Sequence, residues 1–176
     1  QKLKDLVEED AQEASRTQDG LEFHLYANAD TPEEVTAAMD FFCRGVGLYR
    51  TEALFLRKNE MPSEDVQYLH YRELVEAAAP LSVTIRTLDL GGDKVLDLGD
   101  REKESNPFMG FRAIRYCLRN PEIFLVQLRA ILRASAHGEV KIMFPMISGV
   151  GEVIRAKALL ERAKEELRVE EVNFDE

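Results

Sequence analysis

Residues 86–94 read RTLDLGGDK and follow directly on residues 81–85 (LSVTI), an apolar, branched run with the character of a strand. Such a strand delivers an arginine, an acid, a glycine pair and a lysine to one end of a sheet. Gly91 and Gly92 carry no side chain, so their backbone amides can approach a ligand closely. Arg86 and Lys94 add fixed positive charge. The combination suits a phosphate or a carboxylate, and the elements on either side decide what meets it there.

Outward from this strand, the chain alternates between period-2 and helical patterns. Residues 1–19 read as a charged helix, with Leu3, Leu6 and Val7 at helical spacing and Gly20 as its stop. Residues 21–29 (LEFHLYANA) read as a strand, and Thr31 and Pro32 supply an N-cap and a first-turn proline for a helix through about Phe42. A second short strand falls at residues 47–50. Ser63 opens the next helix, to about Ala79, with Glu64 and Asp65 facing its dipole favourably. The third strand, LSVTIRTLDL, is apolar enough to be buried on both faces, as in a parallel sheet. Asn106 and Pro107 begin a helix in NPFMGFRAIRYCLRN, and Pro121 begins another. EVKIMFPMI forms a fourth strand ending near Met146, and residues 149–167 form an amphipathic helix with Val153, Ala156, Leu159, Leu160 and Ala163 on one side. The order is βα repeated four times, an α/β class with parallel pairing. An open doubly wound sheet and part of an eight-stranded barrel both fit, and both place ligands at the carboxyl ends of strands.

With 176 residues the chain can bury roughly 70% of its unfolded surface. The composition is globular, 45% hydrophobic and 32% charged, and points to one domain. A net charge of −10 argues against nucleic acid and against anionic membranes. An anionic ligand must then be held by a local arginine cluster against the field of the whole molecule. Cys43 and Cys117 match no metal or redox spacing and read as two reduced, buried thiols of a cytoplasmic protein. The sequence has no bilayer-length apolar run, and its start lacks both an apolar signal core and an initiator methionine, as expected of a piece of a longer protein.

Several residues at the strand ends carry chemistry. GVGLYRTE contains G-x-G but lacks the third glycine and immediate helix of a dinucleotide site, and GGDK lacks Walker spacing. Arg50 ends the second strand, either as a ligand contact or paired with Glu52. Arg86 follows an apolar run, where a buried charge needs a partner: Asp89 or a ligand. Arg112 near a helix start opposes the dipole unless something anionic offsets it. Arg115 and Arg119 read as solvated, and Arg129 and Arg133 as pairing with acids across the outer face of their helix. His24 reads as a core or supporting histidine, and neither His70 nor His137 has a metal-ligand or nucleophile setting.

The segments GVGLYRTEALFL, MPSEDVQYLHYRELV, RTLDLGGDK, NPFMGFRAIR and QLRAILRASAHGEVKIMFPMI resemble enzyme I of the bacterial phosphoenolpyruvate-dependent sugar phosphotransferase system, the phosphoenolpyruvate-protein phosphotransferases. The resemblance covers nearly the whole chain. RTLDLGGDK also distinguishes enzyme I from pyruvate phosphate dikinase and phosphoenolpyruvate synthase, the alternative assignments beside a non-catalytic regulatory module of the same fold. The resemblance implies the first half of a phosphoenolpyruvate-binding (β/α)8 TIM barrel at residues 20–176, preceded by a helical linker at residues 1–19. It implies an enzyme that moves the phosphoryl group of phosphoenolpyruvate to its own histidine and then to the carrier protein HPr, for sugar uptake. Arg50 and Arg86 match arginines that bind the substrate phosphate, Arg112 matches a third in the same pocket, and Lys94 a lysine on the adjacent loop. Glu52, Asp89, Gly91 and Gly92 support them.

The same resemblance implies parts that this sequence lacks. No G-G-x-T-S-H segment with the phosphoacceptor histidine is present, and no HPr-docking helical domain. The family's Mg²⁺ ligands and catalytic cysteine belong to later strands, beyond residues 173–176 (NFDE). The expectation is a substrate-binding portion with no catalytic residue and no metal ligand of its own, inactive by itself. A half barrel leaves strands one and four with unpaired edges, so the chain should tend to self-associate, and the resemblance implies a homodimer for the whole protein.

Overall fold

The computed structural model describes residues 15–39, 43–56, 61–90 and 110–176. Four strands form one parallel sheet in the order β1 (Ala27–Ala29), β2 (Gly45–Arg50), β3 (Ser82–Arg86), β4 (Val140–Met143). The described helices are α1 (Pro32–Met39), α2 (Glu52–Leu56), α3 (Glu64–Ala78), α4 (Ile114–Arg119), α5 (Pro121–Ser135) and α6 (Val150–Val169). Helices α1, α3, α5 and α6 pack against one another in that same sequence. The chain is an α/β protein with a parallel four-stranded sheet.

The elements follow from local chemistry. Ser63 caps α3 by accepting the Val66 N–H at 3.4 Å, and Glu64 and Asp65 occupy the first turn. Pro121 starts α5, whose buried stripe includes Phe124, Leu128 and Ile131, each 1% exposed or less. Full burial of such a side chain contributes about 1.5–3 kcal/mol. Ile131 shares one buried cluster with Tyr49, Tyr71, Val83 and Ile85, all fully buried, and Phe124 and Leu128 share a second with Leu88 and Ile114. Glu152 reaches back at the start of α6 to accept the N–H groups of Ser148 (2.6 Å) and Gly149 (3.3 Å). The G-x-G of β2 serves packing: Gly45 has φ +131°, and a Cβ there would stand 2.5 Å from the Ser82 carbonyl oxygen.

The structure corrects several expectations. The first strand covers only Ala27–Ala29, and residues 21–26, His24 among them, are exposed. Pairing with β2 begins at Ala27↔Val46, and the earlier residues turn back on the preceding segment instead: the Phe23 N–H donates to the Ser15 carbonyl at 2.9 Å, and Glu22 forms an antiparallel bridge with Arg16. Residues 15–19 are not helical, and residues 1–14 lie outside the described residues. The third strand is not fully buried on both faces: Val83 and Ile85 are fully buried, whereas Thr84 and Arg86 on the other face are only partly covered. The fourth strand ends at Met143, opposite the last residue of β3, and Pro145 has no N–H to extend it. Residues 110–113 are not helical, so the helix expected from Pro107 is seen from Ile114; residues 106 and 107 lie outside the described residues. Cys43 is half-buried, whereas Cys117 is buried. Arg129 and Arg133 pair with acids as expected, but the acids come from neighbouring elements. Arg129, 13% exposed, bonds Glu64 on α3 and Glu170 just past α6, and Arg133 bonds Glu64 and Asp65.

Candidate functional site

Alternation along the strands decides where the arginines emerge. Tyr49 and Ile85 point to the helices, so Arg50 and Arg86, one residue on, stand on the opposite face. Arg50 and Arg86 are register partners, at the carboxyl ends of neighbouring parallel strands. Two guanidinium groups are thereby anchored on backbones about 4.8 Å apart.

Each is held by an acid. Arg50 donates to Asp30, just beyond the end of β1, not to Glu52. Arg86 Nη2 donates to Glu52 Oε1 at 2.9 Å, and its Nη1 lies 3.3 Å from Asp89 Oδ2. Arg112 joins through the same carboxylate: its Nη2 is 2.8 Å from Asp89 Oδ1 and its Nε 3.0 Å. The Asp89 N–H in turn donates to Glu52 Oε1 at 3.2 Å. Side chains of Glu52, Asp89 and Arg86 are between 11% and 19% exposed, so these pairs are screened less than surface ones.

Two features follow. First, three arginines face three carboxylates, so the described part of the rim is neutral; Asp89 pairs with Arg86 as the sequence allowed, and Glu52 pairs with Arg86 rather than with Arg50. The anion that offsets Arg112 is Asp89, and Ala113 beside it takes φ 54°, a conformation costly for an L-residue. Secondly, Arg86 Nε is buried with no hydrogen-bond acceptor among the described residues. A buried charged donor without an acceptor costs more than about 1–3 kcal/mol, which an incoming anion would relieve.

Lys94, Gly91 and Gly92 lie outside the described residues. Asp30 was missed from the sequence, although it also sits at a strand end. Arg115 and Arg119 are not simply solvated: Arg115 donates to the Gly110 carbonyl at 3.0 Å, and Arg119 lies over the Phe111 ring at 5.5 Å. Burial pushes the Cys117 thiol up to about 12, which makes it a poor nucleophile at neutral pH. Among the described residues no three His, Cys, Asp or Glu side chains are grouped to hold a metal ion. The rim carboxylates suit Mg²⁺ poorly, since Glu52 and Asp89 are both engaged by guanidinium groups.

A parallel α/β sheet with arginines at its carboxyl rim belongs to the class of folds that take ligands at strand ends. The chain belongs to the family described as PEP-utilising enzyme, PEP-binding domain, whose model matches residues 4–176. Among its relatives is the phosphoenolpyruvate-protein phosphotransferase of Bacillus subtilis (strain 168), 48% identical over 155 residues, which are 88% of this chain and 27% of that protein. The protein of the same name from Geobacillus stearothermophilus matches over the same shares at 48% identity. That from Staphylococcus epidermidis is 47% identical over 151 residues, 86% of this chain and 26% of its own length. The chain thus spans about a quarter of the curated relatives it matches, and they carry the name of the family its motifs resemble. Among the described residues no helix is long and apolar enough to cross a membrane.

Proposed function

We propose that the chain is the arginine-bearing portion of a cytoplasmic phosphoenolpyruvate-protein phosphotransferase and that its rim holds phosphoenolpyruvate. Arg50 and Arg86 take the phosphate, Arg112 completes the pocket, and Lys94 adds charge from the adjoining loop. The guanidinium fork matches phosphate oxygens bidentately, which suits a group whose transfer depends on positioning and charge neutralisation. The observation that carries the reading is Arg86: a buried Nε–H without an acceptor among the described residues, beside Arg50 in register, at the carboxyl end of a parallel sheet.

The sheet order β1-β2-β3-β4 never reverses direction, which favours four βα units of a (β/α)8 barrel over a doubly wound sheet. The whole enzyme passes the phosphoryl group from phosphoenolpyruvate to a histidine and on to HPr, and works with Mg²⁺ held by residues other than those described. Strands β1 and β4 stand at the sheet's edges, so the chain self-associates. A monomer in light scattering at high concentration would contradict that part.

Binding requires the phosphate to share or displace Glu52 and Asp89, so affinity for the chain alone is weak, roughly millimolar. Titration with phosphoenolpyruvate, followed by calorimetry or amide chemical shifts, tests the reading. Arg86→Ala should weaken binding about tenfold or more, and Arg168→Ala, in an exposed pair with Glu176, should leave it unchanged. Tight binding that survives Arg86→Ala overturns the assignment.

A further inference from the structure

Gln127 sits mid-way along α5 at 1% exposure, in a stripe otherwise filled by Phe124, Leu128 and Ile131. A buried amide is costly unless its polar atoms are matched. Here they are. Oε1 accepts the Leu88 N–H at 2.9 Å, and Nε2 donates to the Tyr71 hydroxyl at 3.1 Å and to Thr51 Oγ1 at 3.4 Å. The Leu88 N–H only donates, which fixes the end of the amide that faces it. Thr51, also 1% exposed, passes its own hydrogen to the Arg86 carbonyl at 3.0 Å. Tyr71 passes its hydrogen to Gln67 Oε1 at 3.3 Å, and Gln67 Nε2 donates to the Pro62 carbonyl at 2.9 Å.

The network has two arms. One ends on the backbone at Arg86 and Leu88, the segment that carries Arg86 and Asp89 to the rim. The other ends at Pro62, before α3. Thr51 also follows Arg50 directly, so a single buried amide ties together the ends of both arginine-bearing strands.

We propose that Gln127 and Thr51 are positioning residues for the rim: they set where Arg86 and Asp89 stand without touching the anion. The inference rests on the reading of Arg86 as a phosphoenolpyruvate contact, but half of its test needs no ligand. In the full chain, Gln127→Met keeps the volume and removes both hydrogen-bonding functions, and Thr51→Val and Thr51→Ser remove and keep the hydroxyl. Gln67→Met cuts only the distal arm.

The readouts are hydrogen exchange at the Leu88 amide and affinity for phosphoenolpyruvate. Gln127→Met and Thr51→Val should each weaken binding about tenfold, since small misplacements of a binding group are expensive. Gln127→Met should also speed Leu88 exchange about tenfold or more. Thr51→Ser should restore the wild-type affinity, and Gln67→Met should lower the melting temperature while changing neither readout more than about twofold. If Gln67→Met loses as much affinity as Gln127→Met at equal loss of thermal stability, the role is merely structural and the inference is overturned. Unchanged Leu88 exchange in Gln127→Met overturns it as well, without reference to ligand. Should Gln127→Met fail to fold, equal affinities for Thr51→Val and Thr51→Ser decide against it. Wild-type affinity in Arg86→Ala instead sinks the phosphoenolpyruvate reading itself, whatever Leu88 does.

Discussion

Replacing Arg129 with methionine removes the guanidinium that ties α5 to α3 and to the end of α6, while keeping much of the side chain's apolar length. Arg129 donates to Glu64 Oε2 and to Glu170 Oε2, each at 2.6 Å, and lies 3.4 Å from Glu166. Two regimes bracket the cost. An exposed pair contributes about 0–1 kcal/mol, whereas stripping a buried charge of its partner costs about 3–5 kcal/mol. Glu170, 51% exposed, belongs to the first regime and its loss matters little. Glu64, 21% exposed, lies nearer the second, but Arg133 Nη1 still reaches its other oxygen at 2.7 Å. That surviving partner reduces the expected loss to about 2 kcal/mol. With a urea slope of about 2 kcal/mol/M, the unfolding midpoint should fall by about 1 M. Arg133→Met together with Arg129→Met leaves Glu64 with neither arginine, so the pair should cost about 1 kcal/mol more than the sum of the singles. A midpoint shift under about 0.2 M for Arg129→Met, or strict additivity in the double variant, would refute the reasoning.

Three further expectations follow from the same chemistry. Backbone donors at Ser148 hold the Glu152 carboxyl below its usual range, and Arg129 and Arg168 do the same for Glu170 and Glu176. Folded pKa values that are depressed give stabilisation present above the unfolded value of about 4.3 and lost as pH falls through the folded values. The urea midpoint should therefore drop between about pH 5 and pH 3, and a flat profile would contradict this. Cys117, its thiol raised by burial, should react with a disulfide reagent only in denaturant, while half-buried Cys43 reacts in the native protein; equal native rates would overturn that assignment. Its contribution to stability is fully present below the unfolded thiol value of about 8.5 and fades as pH rises above it. Labelled phosphoenolpyruvate should leave no label on this chain, whose three histidines include none in a G-G-x-T-S-H setting; incorporation at any of them would contradict the proposal.

The strand-end logic succeeded where a local signal was strong. Ser63 with its acidic first turn, and Pro121 ahead of an amphipathic stripe, specify α3 and α5 almost to the residue. Arg50 and Arg86 were legible because each follows a buried apolar residue at the end of a strand. What the sequence hid was pairing across elements. Asp30, Glu52 and Asp89 are distributed among the arginines by sheet register, and register is not readable from a single strand. The first strand failed for a related reason: residues 21–26 alternate well enough, but residues 21–23 bond back to residues 15–17 rather than to β2, and that choice of partner is not readable from the alternation. Gln127 was passed over because one polar residue in an apolar helix carries no spacing signal. Its importance appears only once Leu88, Tyr71 and Thr51 surround it.

Guanidinium groups from separate βα units meeting on one small anion is a geometric statement, and a crystal structure of the chain with phosphoenolpyruvate bound tests it most directly. The phosphate oxygens should lie within hydrogen-bond reach of both Arg50 and Arg86, with one of them accepting the Arg86 Nε–H that has no acceptor among the described residues. A phosphate bound elsewhere, with Arg86 still held by Glu52 and Asp89 alone, would contradict the account.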